Sequence, residues 1–251
     1  MNAGVPISAP AMNVNMYEHP QTQANIATLS ARGVAFVTPE SGDLACGWKG
    51  RGRLAKPQEI YHHVIKAMTP QDLAQLIRAR RSSLLIDAQR EVPRNIVEEL
   101  CELLTWAPNH KRTWPWHIAV LSGDSRRQLG EAISTVMAAQ GEEDFKVTKA
   151  RSKYLRAPIV IAVGAAPGDS EQRTAENHYA VAAGIQNLLL GAEAHGLATL
   201  WGSPPKGAND AITAVCQFPA TTEVLGLIYV GYPNGVVESP GRPAAQVNWL
   251  P

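Results

Sequence analysis

The densest collection of chemically capable side chains in the sequence is the stretch Trp106-Ala-Pro-Asn-His-Lys-Arg-Thr-Trp-Pro-Trp116. Two prolines stiffen its backbone, three tryptophans wall it, and His110, Lys111 and Arg112 offer hydrogen-bond donors. Such a loop suits a flat, anionic ligand. A second basic group, Arg78-Ala-Arg-Arg-Ser-Ser83, closes a run in which Leu73, Leu76 and Ile77 recur at helical spacing. Arginines and serines at a helix C-terminal end either compensate the helix dipole or grip an oxyanion, with guanidinium and hydroxyl acting together. The residues alone leave both readings open. A third candidate, Gly202-Ser-Pro-Pro-Lys-Gly207, reads as a tight loop with exposed backbone amides.

The elements that must position these groups follow from periodicity and punctuation. Helices are predicted from Asp72 to the arginine cluster, from Pro93 to Trp106 with Ile96, Val97, Leu100, Leu103 and Leu104 inward, from Asp124 or Ser125 to Gln140, and over Asp210 to Gln217. The helix from Glu176 to His195 is apolar nearly all round and rich in Ala and Gly, which permits close approach to a second helix or to a second subunit. Strands are predicted at 116–123, 157–163, 197–201 and 224–231. Helix-rich order with about four strands favours an α+β layer fold, and no Gly-x-Gly-x-x-Gly stands between a strand and a helix. Cys101 and Cys216 read as small core residues, Trp106 and Trp116 as packing anchors, and His178 and His195 as helix-surface residues.

At 251 residues, 45% hydrophobic and 18% charged, the chain can build one large domain or two modest ones. A formal net charge of +1 gives no general drive toward nucleic acid or an anionic membrane. Three widely spaced cysteines suggest neither a disulfide framework nor a zinc site, so a reducing cytoplasm is the expected compartment. No signal peptide or membrane span is expected.

Residues 1 to 68 differ in style. A short apolar run from Val5, a helix from about Pro20 to Ala31 ended by Gly33, a strand over 34–37, a glycine-rich loop over 41–53 and a helix opened by Pro57 make one βαβ unit. It is too small to cover both faces of its own sheet. Pro10-Ala-Met-Asn-Val-Asn-Met-Tyr17 and Leu44-Ala-Cys-Gly-Trp-Lys-Gly-Arg-Gly-Arg53 resemble the last third of the phosphopantothenoylcysteine decarboxylase domain. That resemblance implies a carboxylate-binding role for Asn13 and a proton-donor role for Cys46. The family's upstream flavin-binding strands and catalytic histidine precede the matched region, so a truncated or fused remnant is the favoured reading of this segment.

Over residues 69 to 251, five motifs in order resemble the FMN-dependent nitroreductase family, in particular its small YdjA-like members. They are Arg80-Arg-Ser82, Ala107 to Trp116, Ala180 to Leu190, Gly196 to Ser203 and Gly226 to Pro233. The resemblance implies a mainly antiparallel sheet flanked by helices and a homodimer with two FMN sites at the subunit interface. Arg80, Arg81 and Ser82 would hold the phosphate and ribityl chain, Trp201, Gly202 and Ser203 would lie along the ring or phosphate, and His110 and Trp114 would reach the same flavin from the partner subunit. Residues 192 to 197 would border the nicotinamide of NAD(P)H. No dedicated catalytic acid or base is required, and a nitroaromatic, a quinone or a similar small molecule is an admissible acceptor. The alternatives are a decarboxylase activity carried by Asn13 and Cys46, and a non-catalytic flavin-binding protein. Two departures from the family's pattern stand out: Ser83-Leu-Leu-Ile86 is apolar where a basic residue is common, and Trp114 replaces a usually polar side chain.

Overall fold

The computed structural model describes residues 6–44, 47–67 and 70–250. Cys46 and Thr69 lie outside the described residues. The chain divides into two units, Met1–Gln75 and Leu76–Pro251.

In the first unit β1 (Ile7–Ser8) leads to α1 (Val14–Tyr17), α2 (Pro20–Ala31) and β2 (Ala35–Phe36), and β2 returns parallel to β1. The βαβ reading is therefore realised. The segment expected to be a glycine-rich loop is instead an antiparallel hairpin of β3 (Glu40–Asp43) and β4 (Lys49–Arg53), before α3 (Pro57–Ala67). Gly50 and Gly52 explain both the expectation and the outcome: a Cβ at Gly52 would collide with the Met12 carbonyl, so the glycines let a strand pass tightly under α1.

Helix α4 (Pro70–Ala79) runs across the boundary between the units. The second unit continues with α5 (Arg94–Thr105), β5 (Trp116–Ser122), α6 (Ser125–Ala139), α7 (Asp144–Lys153), β6 (Ile159–Ala165), α8 (Glu171–Ala194), β7 (Ala198–Gly202), α9 (Asn209–Cys216) and β8 (Glu223–Gly231). Its sheet has the order β5-β6-β8-β7 with every adjacent pair antiparallel. Alternation along β6 decides the layers. Ile161, Val163 and Ala165 face a core built with α5 and α8, while Val160 and Ala162 face one built with α6, Tyr154 and α9. The result is a helix–sheet–helix sandwich, the α+β layer fold expected.

Helix α8 begins five residues earlier than its apolar pattern shows, because the Ser170 hydroxyl accepts from the Arg173 amide and caps a polar first turn. Its small residues do bring α5 close: a Cβ on Gly184 would fall inside 3.0 Å of the Leu104 carbonyl oxygen. Among the described residues, no helix is long and apolar enough to cross a membrane.

Candidate functional site

The aromatic, basic loop is a held structure. After α5 the chain enters a short 3-10 turn, His110–Arg112, and Lys111, Arg112 and Trp114 all adopt positive φ, at 61°, 53° and 49°. Left-handed backbone at residues with side chains costs about 1–3 kcal/mol each and persists only where the surroundings impose it. The imposing groups are Asn109, Thr113 and Asn177. Asn109 Nδ2 donates to Thr113 Oγ1 at 3.0 Å, and the Trp114 amide donates to Asn109 Oδ1 at 2.9 Å. The Thr113 hydroxyl donates to Asn177 Oδ1 at 2.6 Å, and Asn177 Nδ2 donates to the Ala166 carbonyl at 3.0 Å. Asn177 is 2% exposed, so the far end of this anchor is buried, whereas Thr113 itself is exposed.

The loop presents its functional candidates outward. His110 is exposed and Trp114 is 65% exposed, with its ring 5.8 Å from that of Trp116 and tilted by 44°. Trp116 packs against the α5/α8 core as expected, although its buried indole N–H has no partner among the described residues. Trp106 corrects the sequence reading. It is 73% exposed, because it forms the C-cap of α5 beyond the last inward-facing turn and directs its indole toward Glu102 at 3.4 Å. Behind the loop lies a cavity of about 520 Å³ lined by Lys111, Thr113, Asp169, Arg173 and Asn177 among others.

The other candidates gather at the opposite edge of the sheet. Ser82 bridges in parallel to Thr199 of β7, and the Ser83 amide donates to the Thr199 carbonyl at 2.8 Å. Arg80 and Arg81 therefore sit at the start of β7. The Arg81 guanidinium donates to the carbonyls of Arg78 at 2.5 Å and Arg80 at 2.9 Å, so it does satisfy the helix end, through one of its nitrogens. Its other donors remain for a ligand. Arg81 and Ser83 line a cavity of about 260 Å³ with Glu193, Gly196, Leu197 and the segment after β8. Trp201 is half-buried, packs against the α5/α8 core and commits its indole N–H to the Leu225 carbonyl at 3.0 Å, with its ring over Gly226. Gly202 and Ser203 follow at the end of β7.

Register separates the two groups. Thr199 pairs with Val230, Val230 with Ile159, and Ile159 with Ser122 at the end of β5, whereas the loop enters β5 at Trp116. The groups are thus three strands apart, roughly 14 Å, and displaced by six residues, roughly 20 Å, along the strands. Their two cavities share no lining residue. One chain does not bring His110 and Trp114 to Arg80, Arg81 and Ser82.

Burial, with a smaller contribution from Glu98, pushes the Cys101 thiol up to about 11, and burial alone does the same for Cys216. Both pack partly buried against the two cores, in keeping with the sequence reading of small core residues. His195 and His178 are not free surface groups but half-buried, at 3.2 Å from the Glu99 carboxylate and 3.4 Å from that of Glu223. Asn109, Thr113 and Asn177 were missed as functional residues. The available signal was Asn177, the one polar side chain among the buried residues of a helix that otherwise buries Ala, Val, Gly, Ile and Leu. In the first unit, Asn13 caps α1 by accepting from the Asn15 amide at 2.8 Å and lines a cavity of about 380 Å³ with Asp43, Gly52 and Arg53.

Comparison with known proteins agrees with this fold. The Flavoprotein family model matches residues 1–69 and the Nitroreductase family model residues 77–232. The coenzyme A biosynthesis bifunctional protein CoaBC of Bacillus subtilis is 52% identical over 52 residues, 21% of this chain and 13% of that protein. The chain therefore spans about an eighth of that relative. The putative NAD(P)H nitroreductase YdjA of Escherichia coli is 25% identical over 129 residues, 51% of this chain and 70% of YdjA. Among solved structures, the nitroreductase-like family protein of Bacillus cereus superposes with a TM-score of 0.59 at 26% identity, over 70% of this chain and 94% of that one. The FMN-dependent nitroreductase NfnB of Mycobacterium smegmatis, solved with NADPH, shares the fold at a TM-score of 0.53 and 24% identity, over 65% and 88% of the two chains. With its five ordered motifs, its antiparallel four-stranded sheet and a family match over more than half its length, the chain belongs to the nitroreductase family.

Proposed function

We propose that residues 69–251 form an FMN-dependent oxidoreductase that takes electrons from NAD(P)H and passes them to a small nitroaromatic, quinone or similar acceptor. The observation that carries this reading is the division of the candidate residues into two groups at diagonally opposite corners of one sheet. Each group is half of a flavin site, and a homodimer brings the halves together. In this arrangement Arg80, Arg81 and Ser82 bind the phosphate and ribityl end, Trp201, Gly202 and Ser203 border the ring, and the partner subunit's His110 and Trp114 close over it.

The donor set suits that cofactor. Two guanidinium groups and a hydroxyl match a phosphate dianion, and the aromatic surfaces of Trp114 and Trp201 match a flat ring. Bound FMN supplies the redox chemistry, hydride acceptance from a reduced nicotinamide and electron donation to an acceptor. The protein's residues bind and orient it. Arg80 and Arg81 also place positive charge, and His110 a hydrogen-bonding ring, near a group that gains negative charge on reduction. Glu193, Gly196 and Leu197, which line the cavity beside Arg81, border the nicotinamide. Donor and acceptor use one exposed cleft in turn, a ping-pong order.

Anaerobic titration tests this. The expected result is a yellow protein bleached by NADH or NADPH and recoloured by a nitroaromatic or quinone. A protein that never takes up FMN would refute the proposal, and bound flavin that neither nicotinamide reduces would make it a non-catalytic flavin protein. The Asn13-lined cavity favours one separate reading for residues 1–68, a decarboxylase-derived segment. Release of carbon dioxide from phosphopantothenoylcysteine, lost in Cys46→Ser, would make that segment active, and no release leaves it as a remnant.

A further inference from the structure

The loop that carries His110 and Trp114 is expensive in backbone terms, with three residues at positive φ, yet its side chains at the tip are exposed and pack little. Something other than packing fixes it. The only deeply buried polar side chain bonded to it among the described residues is Asn177, nearly two turns into α8.

The connections run in one direction. Asn177 Nδ2 is tied to the Ala166 carbonyl, just past the end of β6, and the Ala166 amide in turn donates to the Pro115 carbonyl at 2.8 Å. Asn177 Oδ1 receives the Thr113 hydroxyl. Because that hydroxyl has a single proton, spending it on Asn177 leaves its oxygen to accept from Asn109 Nδ2. That choice orients the Asn109 amide so that Oδ1 accepts from the Trp114 N–H. The side chain on α8 thereby sets hydroxyl, amide and finally the backbone of Trp114.

We propose that Asn177 is a positioning residue for the flavin site: through Thr113 and Asn109 it locks the left-handed loop that presents His110 and Trp114 to the partner's cofactor. It touches no ligand itself. This rests on the reading of the loop as half of a flavin site. It adds the claim that the loop's shape, and not only its side chains, determines affinity. A buried amide with both ends satisfied is suited to this, since either end left unpaired is costly.

The test uses full-length Thr113→Val, Thr113→Ser and Asn177→Ala proteins, with two readouts. Hydrogen exchange of the Trp114 amide is read first, on flavin-free protein. Protection is expected in the wild type and in Thr113→Ser, and loss of roughly tenfold or more in Thr113→Val and Asn177→Ala, the equivalent of about 1.4 kcal/mol. The FMN dissociation constant is read second. It is expected to rise by a similar factor in the Val and Ala variants, with Ser close to wild type and the nicotinamide KM moved more than kcat. Unchanged Trp114 exchange in Thr113→Val and Asn177→Ala would overturn the inference, as would altered exchange with unchanged FMN affinity. Failure of the wild type to bind FMN would instead sink the functional reading and leave the exchange result standing. If Asn177→Ala does not fold, Thr113→Val against Thr113→Ser decides alone.

Discussion

The packing of α5 on α8 is open to a sharp mutational test, because two glycines on one face of α8 meet different neighbours. Replacing a helix-interior glycine by alanine ordinarily gains about 1 kcal/mol from propensity. At Gly184 the new methyl would lie inside 3.0 Å of the Leu104 carbonyl oxygen, a backbone atom that cannot swing away. Restoring an ordinary contact needs the helices to part by about 1 Å across a fully buried layer, and such overpacking typically costs about 1–3 kcal/mol. Because the obstacle is backbone, the upper part of that range applies, and the clash exceeds the propensity gain by about 1–2 kcal/mol. At roughly 2–4 °C per kcal/mol for a domain of this size, Gly184→Ala is expected to lower the melting temperature by about 2–8 °C. Gly191→Ala meets instead the terminal methyls of Leu103 and Leu100, which can rotate, so it is expected to be neutral or slightly stabilising. Calorimetry of both variants beside the wild type reads the difference. A Gly184→Ala protein melting at or above the wild type, or a Gly191→Ala protein as damaged as Gly184→Ala, would refute the account of this interface.

Other outcomes follow from the site and its surroundings. Arg80→Ala, by removing a charge-assisted contact of about 1.5–3 kcal/mol, is expected to weaken FMN binding about 10- to 100-fold in fluorescence titration. Loss of affinity no greater than for a remote surface arginine such as Arg127 would count against its role. Burial lowers the His117 pKa below 6.5, so the unfolded chain takes up a proton first as pH falls. Stability should therefore be full above about pH 6.5 and decline below it, and His117→Gln should flatten that decline in urea melts at pH 5 to 7. The thiols of Cys101 and Cys216, raised from 9.0 to about 11, act at the other end of the scale. Stability they favour is present below about pH 9 and lost toward pH 11, and at pH 8 neither should react with iodoacetamide in the folded protein, whereas both should in urea.

Much of the fold was legible because its signals are local. Proline at the start of α5, β-forming alternation in β5 and β8, and the unbroken apolar run of β6 each mark an element within a few residues. Legibility failed where a tertiary contact decided. The hairpin of β3 and β4 read as a loop because its glycines serve a close approach to α1 that no local pattern records. Trp106 read as an anchor because a large aromatic usually is, yet helix phase leaves it past the buried face. The candidate site was legible in its motif residues but not in its framework. Thr113 and Asn177 are separated by 64 positions, and only the folded chain shows that one hydroxyl proton joins them. Nor does the sequence show that Arg80 and His110 fall at opposite corners of the sheet, a fact that register alone supplies.

Subunit complementation tests the central claim most directly. Arg80→Ala and His110→Ala damage opposite halves of the proposed site, so each homodimer carries two defective sites. When the two chains are co-assembled at equal amounts, half the dimers are mixed, and each mixed dimer holds one site with both native halves. Recovery of about a quarter of the wild-type NAD(P)H-dependent flavin reduction is the expected result. No recovery in a mixture shown to contain mixed dimers, or full FMN reduction by a monomeric protein, would contradict a flavin site shared between two chains.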